Sequence, residues 1–137
     1  MTKRSVQPAA EDRFGRIIDQ KWTNSAGSTT FDRYQYAYDR GGNRTSKANS
    51  QTSGKDEYYE YDGLHRLAKM NRGTLSSGTI ADGSANYNEQ WQELETLGSW
   101  RSFRWDSNGG ADSSTTQFRA HDAANLLGTI SGTGAEV

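Results

Sequence analysis

The residues best equipped for chemistry are two histidines, His65 and His121, and an oxygen-rich run, Asp106-x-Asn108-x-Gly110-x-Asp112. A histidine in ligand spacing would bind a metal, and one beside a nucleophile would act as a base. Neither histidine lies in an H-E-x-x-H or comparable arrangement. The run alternates oxygen groups as a calcium loop does, yet its twelfth position is Gln117, where an EF-hand needs a bidentate Glu. A Gly-rich hairpin turn accounts for it better. No metal and no cofactor are therefore assigned. The serines have no G-x-S-x-G context, and Gly54-Lys55 is followed by Asp56 instead of the Ser or Thr of a phosphate loop. Gly132-Thr133-Gly134 stops before the third glycine of a dinucleotide fingerprint. Glu57 and Glu60 would serve glycoside hydrolysis only if buried with raised pKa. Nothing here argues for an enzyme. Trp22, Trp91, Trp100 and Trp105 carry the one binding chemistry in view, a platform of rings for sugar faces; the competing reading makes them packing residues.

The composition narrows the elements that must hold these residues. Of 137 residues, Val, Ile, Leu and Phe supply 17, which is below the roughly 20% level associated with disorder. Disorder by self-repulsion also needs high net charge, and 16 basic against 17 acidic residues leave −1. Gly, Ser, Thr and Asn make up more than a third of the chain, and 15 aromatic rings outnumber 13 branched aliphatics. Such a chain favours turns and solvated strands over helices. Zero Cys excludes disulfide frameworks and thiolate chemistry. No apolar run approaches the ~18 residues of a membrane span, and no secretion signal is visible near the start of the chain. A pI of about 6.1 without a basic stripe argues against nucleic acid.

Self-comparison supplies the organising pattern. Tyr38-Asp39-Arg40-Gly41-Gly42-Asn43-Arg44 is the fullest copy of a unit, and Tyr61-Asp62-Gly63-Leu64-His65-Arg66-Leu67 matches it with His65 in the glycine slot. Copies at Asp12 to Ile17 (with Gly15), Glu95 to Trp100 (with Gly98) and Asp122 to Leu127 have drifted further. The acidic anchors fall at 12, 39, 62, 95 and 122, in steps of 27, 23, 33 and 27. Before Asp39 and Asp62, rings alternate: Tyr34, Tyr36 and Tyr38 share one strand face, as do Tyr59 and Tyr61. The acid accepts backbone N–H groups just ahead of it, and a residue three positions on supplies positive φ. Each unit is thus a hairpin turn with its strands.

The fold class expected is all-β: successive antiparallel hairpins over 11–132 forming a curved open sheet. It lies between a flexible N-terminal segment, 1–10, and a tail, 133–137. Turns are expected near 12–16, 39–43, 62–66, 95–99, 106–110 and 122–126. Trp100, Ser102 and Arg104 should face one way and Arg101, Phe103 and Trp105 the other, with Thr115 to His121 as the return strand. The Gly-, Ser- and Asn-rich stretches at 45–57 and 71–90 read as loops between hairpins or long hairpin tips.

With these residues in hand, the chain resembles the YD-repeat family of bacterial Rhs proteins, Tc-toxin C components and teneurins. The Tyr38-to-Arg44 and Tyr61-to-Leu67 units resemble its Y-D-x-x-G-x-L/R turn, and Tyr36-Ala37-Tyr38-Asp39 and Tyr59-Glu60-Tyr61-Asp62 its Y-x-Y-D form. The resemblance implies hairpins added edge to edge into a shell-like wall that encloses a toxin or serves adhesion, with some members linked to carbohydrate. It further implies a secreted or cell-surface location within a larger protein, with this chain looking like a fragment, a truncated gene product or an internal segment. The partners implied are neighbouring repeats, a toxin domain or glycans. Tyr36, Tyr38, Tyr59 and Tyr61 would join hairpins. Asp12, Asp39, Asp62 and Asp122 would hold turns, and Gly15, Gly42, Gly98 and His65 would take their left-handed positions. Asn43 belongs to the repeat motif, and Arg44 and Leu67 would open return strands.

Overall fold

A computed structural model describes residues 4–6, 9–24, 26–107, 115–122 and 124–133, with only the backbone described for 4–6 and 133. Eleven strands form one antiparallel sheet: β1 Arg4–Val6, β2 Ala10–Glu11, β3 Ile17–Asn24, β4 Thr30–Tyr38, β5 Arg44–Asn49, β6 Asp56–Tyr61, β7 Leu67–Gly73, β8 Ala85–Leu94, β9 Trp100–Asp106, β10 Thr115–His121 and β11 Leu127–Thr133. From β3 onward each strand pairs with its neighbours in sequence, and the sheet does not close. The fold is all-β, built of hairpins in series. β1 and β2 lie end to end along the outer edge of β3, with Arg4 opposite Asn24 and Glu11 opposite Ile17. Part of the segment expected to be flexible, 1–10, is therefore sheet. The ladder hydrogen bonds to β3 hold it there.

The stretches read as loops are mostly strand. Residues 45–49 and 56–57 belong to β5 and β6, and 71–73 and 85–90 to β7 and β8, leaving 50–55 and 74–84 as hairpin tips. The low strand propensity of Asn misleads here. Asn71 and Asn88 sit opposite each other on β7 and β8, both fully buried. The 74–84 tip folds back so that Asn71 Nδ2 donates to the Ile80 carbonyl (2.7 Å) and to Asp82 Oδ1 (2.9 Å). These bonds satisfy the Asn71 amide's donors, though not its buried Oδ1, and hold in a strand a residue that would favour a turn if solvated.

The two faces differ in chemistry. Cross-strand register puts Trp22, Tyr34, Tyr36, Tyr59, Tyr87, Trp91, Phe103 and Trp105 on one face, with Lys47, Glu57, Arg72 and Glu89 among them. The other carries Thr23, Ser46, Asn71, Asn88, Ser102 and Asp106, all buried, partly beneath the 74–84 tip. Among the described residues only Met70, Ile80 and Ala85 are buried apolar side chains. The accessible surface is 8779 Å², against about 7,100 Å² for a compact monomer of 15.2 kDa. Among the described residues no second sheet or helix packs against this single layer, which accords with the excess.

Five five-residue turns share one backbone geometry. The N–H of the acidic anchor donates to the carbonyl four residues on, in the pairs Asp12/Arg16, Asp39/Asn43, Asp62/Arg66, Glu95/Ser99 and Asp122/Leu126, at 2.7–3.0 Å. The anchor's own carbonyl accepts from the residue three ahead, which has positive φ: Gly15, Gly42, His65, Gly98 and Asn125. This is the three-residue hairpin loop with a bulge. Register shifts just before the acid in β2, β4, β6 and β10 accompany it and deepen the local twist. Gly98 has φ of 88° with nothing within 4 Å of an added Cβ, so its constraint is conformational alone. Gly98→Ala should cost about 1–2 kcal/mol in urea unfolding. Gly63→Ala, at a turn glycine without positive φ and with equal space around it, should be near neutral.

Candidate functional site

The five turns line one rim of the sheet, and their side chains form the most organised polar assembly in the molecule. In each aspartate turn one carboxylate oxygen accepts backbone N–H groups. Asp12 Oδ1 takes those of Phe14 (2.8 Å) and Arg16 (3.0 Å), and Asp62 Oδ1 those of Leu64 and Arg66 (2.9 Å each). Asp122 Oδ1 takes those of Ala124 and Leu126 (2.9 Å each), and Asp39 Oδ1 that of Asn43 (2.9 Å). The second oxygen holds the residue four ahead: Arg16 Nε on Asp12, Asn43 Nδ2 on Asp39 and Arg66 Nε on Asp62, all 2.7 Å. The fourth anchor departs from this pattern, since the Glu95 carboxylate pairs with Arg101 and lies 3.9 Å from His121 Nδ1.

The residue four past each acid then reaches the next turn. Arg16 Nη1 donates to the Asp39 carbonyl (3.4 Å), and Asn43 Nδ2 to His65 Nδ1 (2.7 Å). Arg66 donates to the Leu94 carbonyl through Nη2 (3.2 Å) and to that of Glu95 through Nη1. Ser99 Oγ donates to Asn125 Oδ1 (2.8 Å). Four staples thus join five turns in sequence. The contribution of Arg16, Arg66, Ser99 and Asn125 escapes a reading of the sequence, although a polar residue recurs four positions after four of the acids.

Tyrosines before the acids tie units the other way. Tyr38 Oη donates to the Ile17 carbonyl and Tyr61 Oη to that of Arg44, each at 2.9 Å and each five residues past the preceding acid. Arg44 Cζ lies over the rings of Tyr36 (5.6 Å) and Tyr59 (5.2 Å), so its guanidinium joins adjacent hairpins on the ring-bearing face. Arg16 sits over Tyr38 at 4.6 Å in the same way. Leu67 is half-buried where β7 begins, opposite Tyr61. His65 lies in the third turn and His121 at the end of β10, and the two do not meet.

The tryptophans divide into two groups. Trp22 meets Tyr34, edge to face at 5.7 Å. Trp91, Trp100 and Trp105 gather round Phe103 at 5.3–5.4 Å, the Trp105 ring stacked on it. Alternation along β9 puts Trp100 on the opposite face from Phe103; the structure brings the two rings together and Arg119 over Trp100 at 3.9 Å. The cause is local. Glu93 takes φ of 53° and the β8–β9 ladder skips the Glu93/Arg101 pair, which interrupts the alternation between Trp100 and Ser102. All four tryptophans are half-buried.

Environment shifts several titrations. Asp39 is held below the usual carboxylate range first by the Asn43 amide, and Asp62 by the Arg66 backbone N–H and guanidinium. At Asp12 burial pushes upward, and the Arg16 hydrogen bonds outweigh it. Burial, then Glu57, drives the Tyr59 phenol far up, while burial and Glu89 move Tyr87 up to about 12. Among the described residues no group of three or more His, Asp or Glu is placed to hold a metal. Residues 108–114 of the calcium-like run lie outside the described residues, and Gln117 pairs opposite Phe103 in β10. No helix of the described residues is long and apolar enough to cross a membrane. No protein-family model and no curated protein matches the chain.

Two outcomes test the rim. The carboxyls of Asp12, Asp39 and Asp62 titrate lower folded than unfolded. They therefore support the fold fully above the unfolded value of about 3.9 and lose that effect as pH falls through the lower folded values. Circular dichroism should stay constant from neutrality to about pH 4 and weaken below it, with a shallower acid limb in Asp62→Asn. Tyr61→Phe should cost about 1 kcal/mol in urea unfolding for the lost bond to the Arg44 carbonyl. Tyr58→Phe, at a ring whose hydroxyl has no hydrogen bond among the described residues, should cost less.

Proposed function

We propose that the chain is a non-catalytic structural segment of a larger YD-type, Rhs-like repeat protein. In this reading it contributes a stretch of β-sheet wall to a shell or cell-surface scaffold that encloses or presents a toxin or adhesion domain. The observation that carries this reading is the ladder of staples. In units two and three the tyrosine holds the preceding unit's backbone while the aspartate closes its own turn, so the Tyr-Asp pair adds hairpins in series. Catalysis needs none of this, and Asp12, Asp39, Asp62, Arg16, Asn43 and Arg66 are occupied in holding the rim.

The single layer supports the same reading. An open sheet with few buried apolar side chains gains stability from neighbours on its edges, and the outer edge of β11 is unpaired among the described residues. Neighbouring repeats are the natural partners, and export as part of a larger protein is the natural setting. Carbohydrate binding through the tryptophans is less well supported. The Trp105 ring is stacked on Phe103 and Trp100 is covered by Arg119, so these ring faces serve packing.

An antibody raised to residues 31–72 provides the test. Immunoblotting an extract of the native source should give a band far above 15.2 kDa. A single band at that mass would count against the wall. A rise in tryptophan quenching with one glycan in a broad panel, lost in Trp22→Ala, would instead favour the sugar-binding reading.

A further inference from the structure

The most exposed large apolar side chains of the described residues all belong to the stapled rim: Phe14 (66%), Leu64 (67%), Leu97 (77%) and Leu126 (65%). Phe14, Leu64 and Leu97 occupy the same slot, two residues past the acid, where the backbone turns outward. The corresponding residue of the second turn is Gly41, which presents no side chain. Polar residues are the usual choice at the tip of a tight turn. A row of protruding apolar groups along one rim marks a contact surface.

Charge along the rim is ordered too. The first two turns with their flanks, 11–16 and 38–44, hold four arginines against three acids, and the fourth and fifth, 93–101 and 121–127, hold three acids against one arginine. Among the described residues no ion pair engages Arg13, Arg40 or Arg44 at one end, or Glu93 or Asp122 at the other. Each end also has a hollow. One of about 380 Å³ is lined by Arg13, Phe14, Arg16, Tyr38, Asp39 and Arg40. The other, of about 540 Å³, is lined by Glu93, Leu94, Glu95, Thr96, Leu97 and Arg101.

We propose that this rim is a self-association surface whose occupant is the same rim of a second copy, running antiparallel about a two-fold axis through the Leu64 turn. A two-fold contact is self-complementary: whatever residue i meets on residue j, j meets on i. With the third turn on the axis, first meets fifth and second meets fourth. Leu64 then faces Leu64, and Phe14 faces Leu126. Leu97, the most protruding of the four, faces Gly41, which has no side chain and beside which the His65 ring lies. Arg13 approaches Asp122 and Arg40 approaches Glu93. The parallel arrangement would place arginine against arginine and acid against acid, which costs energy. A partner of unrelated sequence would have no cause to match charges arranged with opposite sign on either side of Leu64. A contact of a few side chains per copy belongs to the small, reversible class of interfaces, and its ion pairs make it salt-sensitive.

Sedimentation equilibrium of the full chain is the test, up to about 200 µM, a range suited to weak contacts. The expected result is a monomer–dimer equilibrium that stops at two and weakens in high salt. Leu64→Glu puts two like charges on the axis, at a residue exposed in the single copy, and should raise the dissociation constant at least tenfold with unchanged circular dichroism. Arg40→Glu should weaken the dimer, and the double variant Arg40→Glu/Glu93→Arg should restore it, since each swapped pair regains opposite charges. A monomer throughout the range would overturn the proposal. So would a dimer indifferent to both Leu64→Glu and the charge swap, or an open-ended series of oligomers, which is the signature of pairing through the β11 edge. None of these results depends on whether the chain belongs to a larger wall.

Discussion

A turn aspartate accepting backbone N–H groups through one oxygen and a side-chain donor through the other is the interaction on which the rest of the structure depends. It fixes where each hairpin reverses, and it orients the residue four positions on. That residue is thereby aimed at the next turn. Arg66 illustrates the coupling, since its guanidinium holds Asp62 and the carbonyls of Leu94 and Glu95 together. Local turn chemistry and long-range assembly use the same side chain. The usual division of labour, in which turns reverse the chain and a buried core assembles it, is shifted here toward the turns.

The opposite rim works under looser rules. Asn24 caps a turn by accepting from Ser28 and Thr29, and Asn49 does the same for Gln51 and Thr52. Beyond these, the 50–55 and 74–84 tips differ in length and shape, and 74–84 returns to cover Asn71. The uneven spacing of the acids follows from this asymmetry together with differing strand lengths. One rim is constrained by its staples, while the other absorbs insertions and puts one of them to use as a cover.

This difference also decides what could be read from the sequence. The anchors at Asp12, Asp39, Asp62 and Asp122 and the left-handed positions at Gly15, Gly42 and Gly98 are local signals, contained within five residues, and they were legible. The strands hidden in 45–57 and 71–90 were not. Their assignment rests on partners such as the Ile80 carbonyl for Asn71, which only the folded tip provides. The staples were out of reach for a related reason. They join residues 22 to 29 positions apart, and Arg, Asn and Ser fill the same role with different chemistry. Trp100 was misplaced because a single left-handed residue, Glu93, interrupts an alternation that otherwise holds along β8 and β9.

The scarcity of fully buried apolar side chains among the described residues sets the thermal character of the molecule. Heat capacity rises on unfolding chiefly because apolar surface becomes hydrated, by about 12–15 cal/mol/K per residue in ordinary globular domains. A single-layer sheet whose buried side chains are mostly Asn, Ser, Thr and Asp has less apolar surface left to expose, and newly hydrated polar groups act in the opposite direction. Its free energy of unfolding should therefore curve little with temperature. Cooling should weaken it less than it weakens a domain with a large apolar interior, and calorimetry should find a shallow dome with a broad maximum.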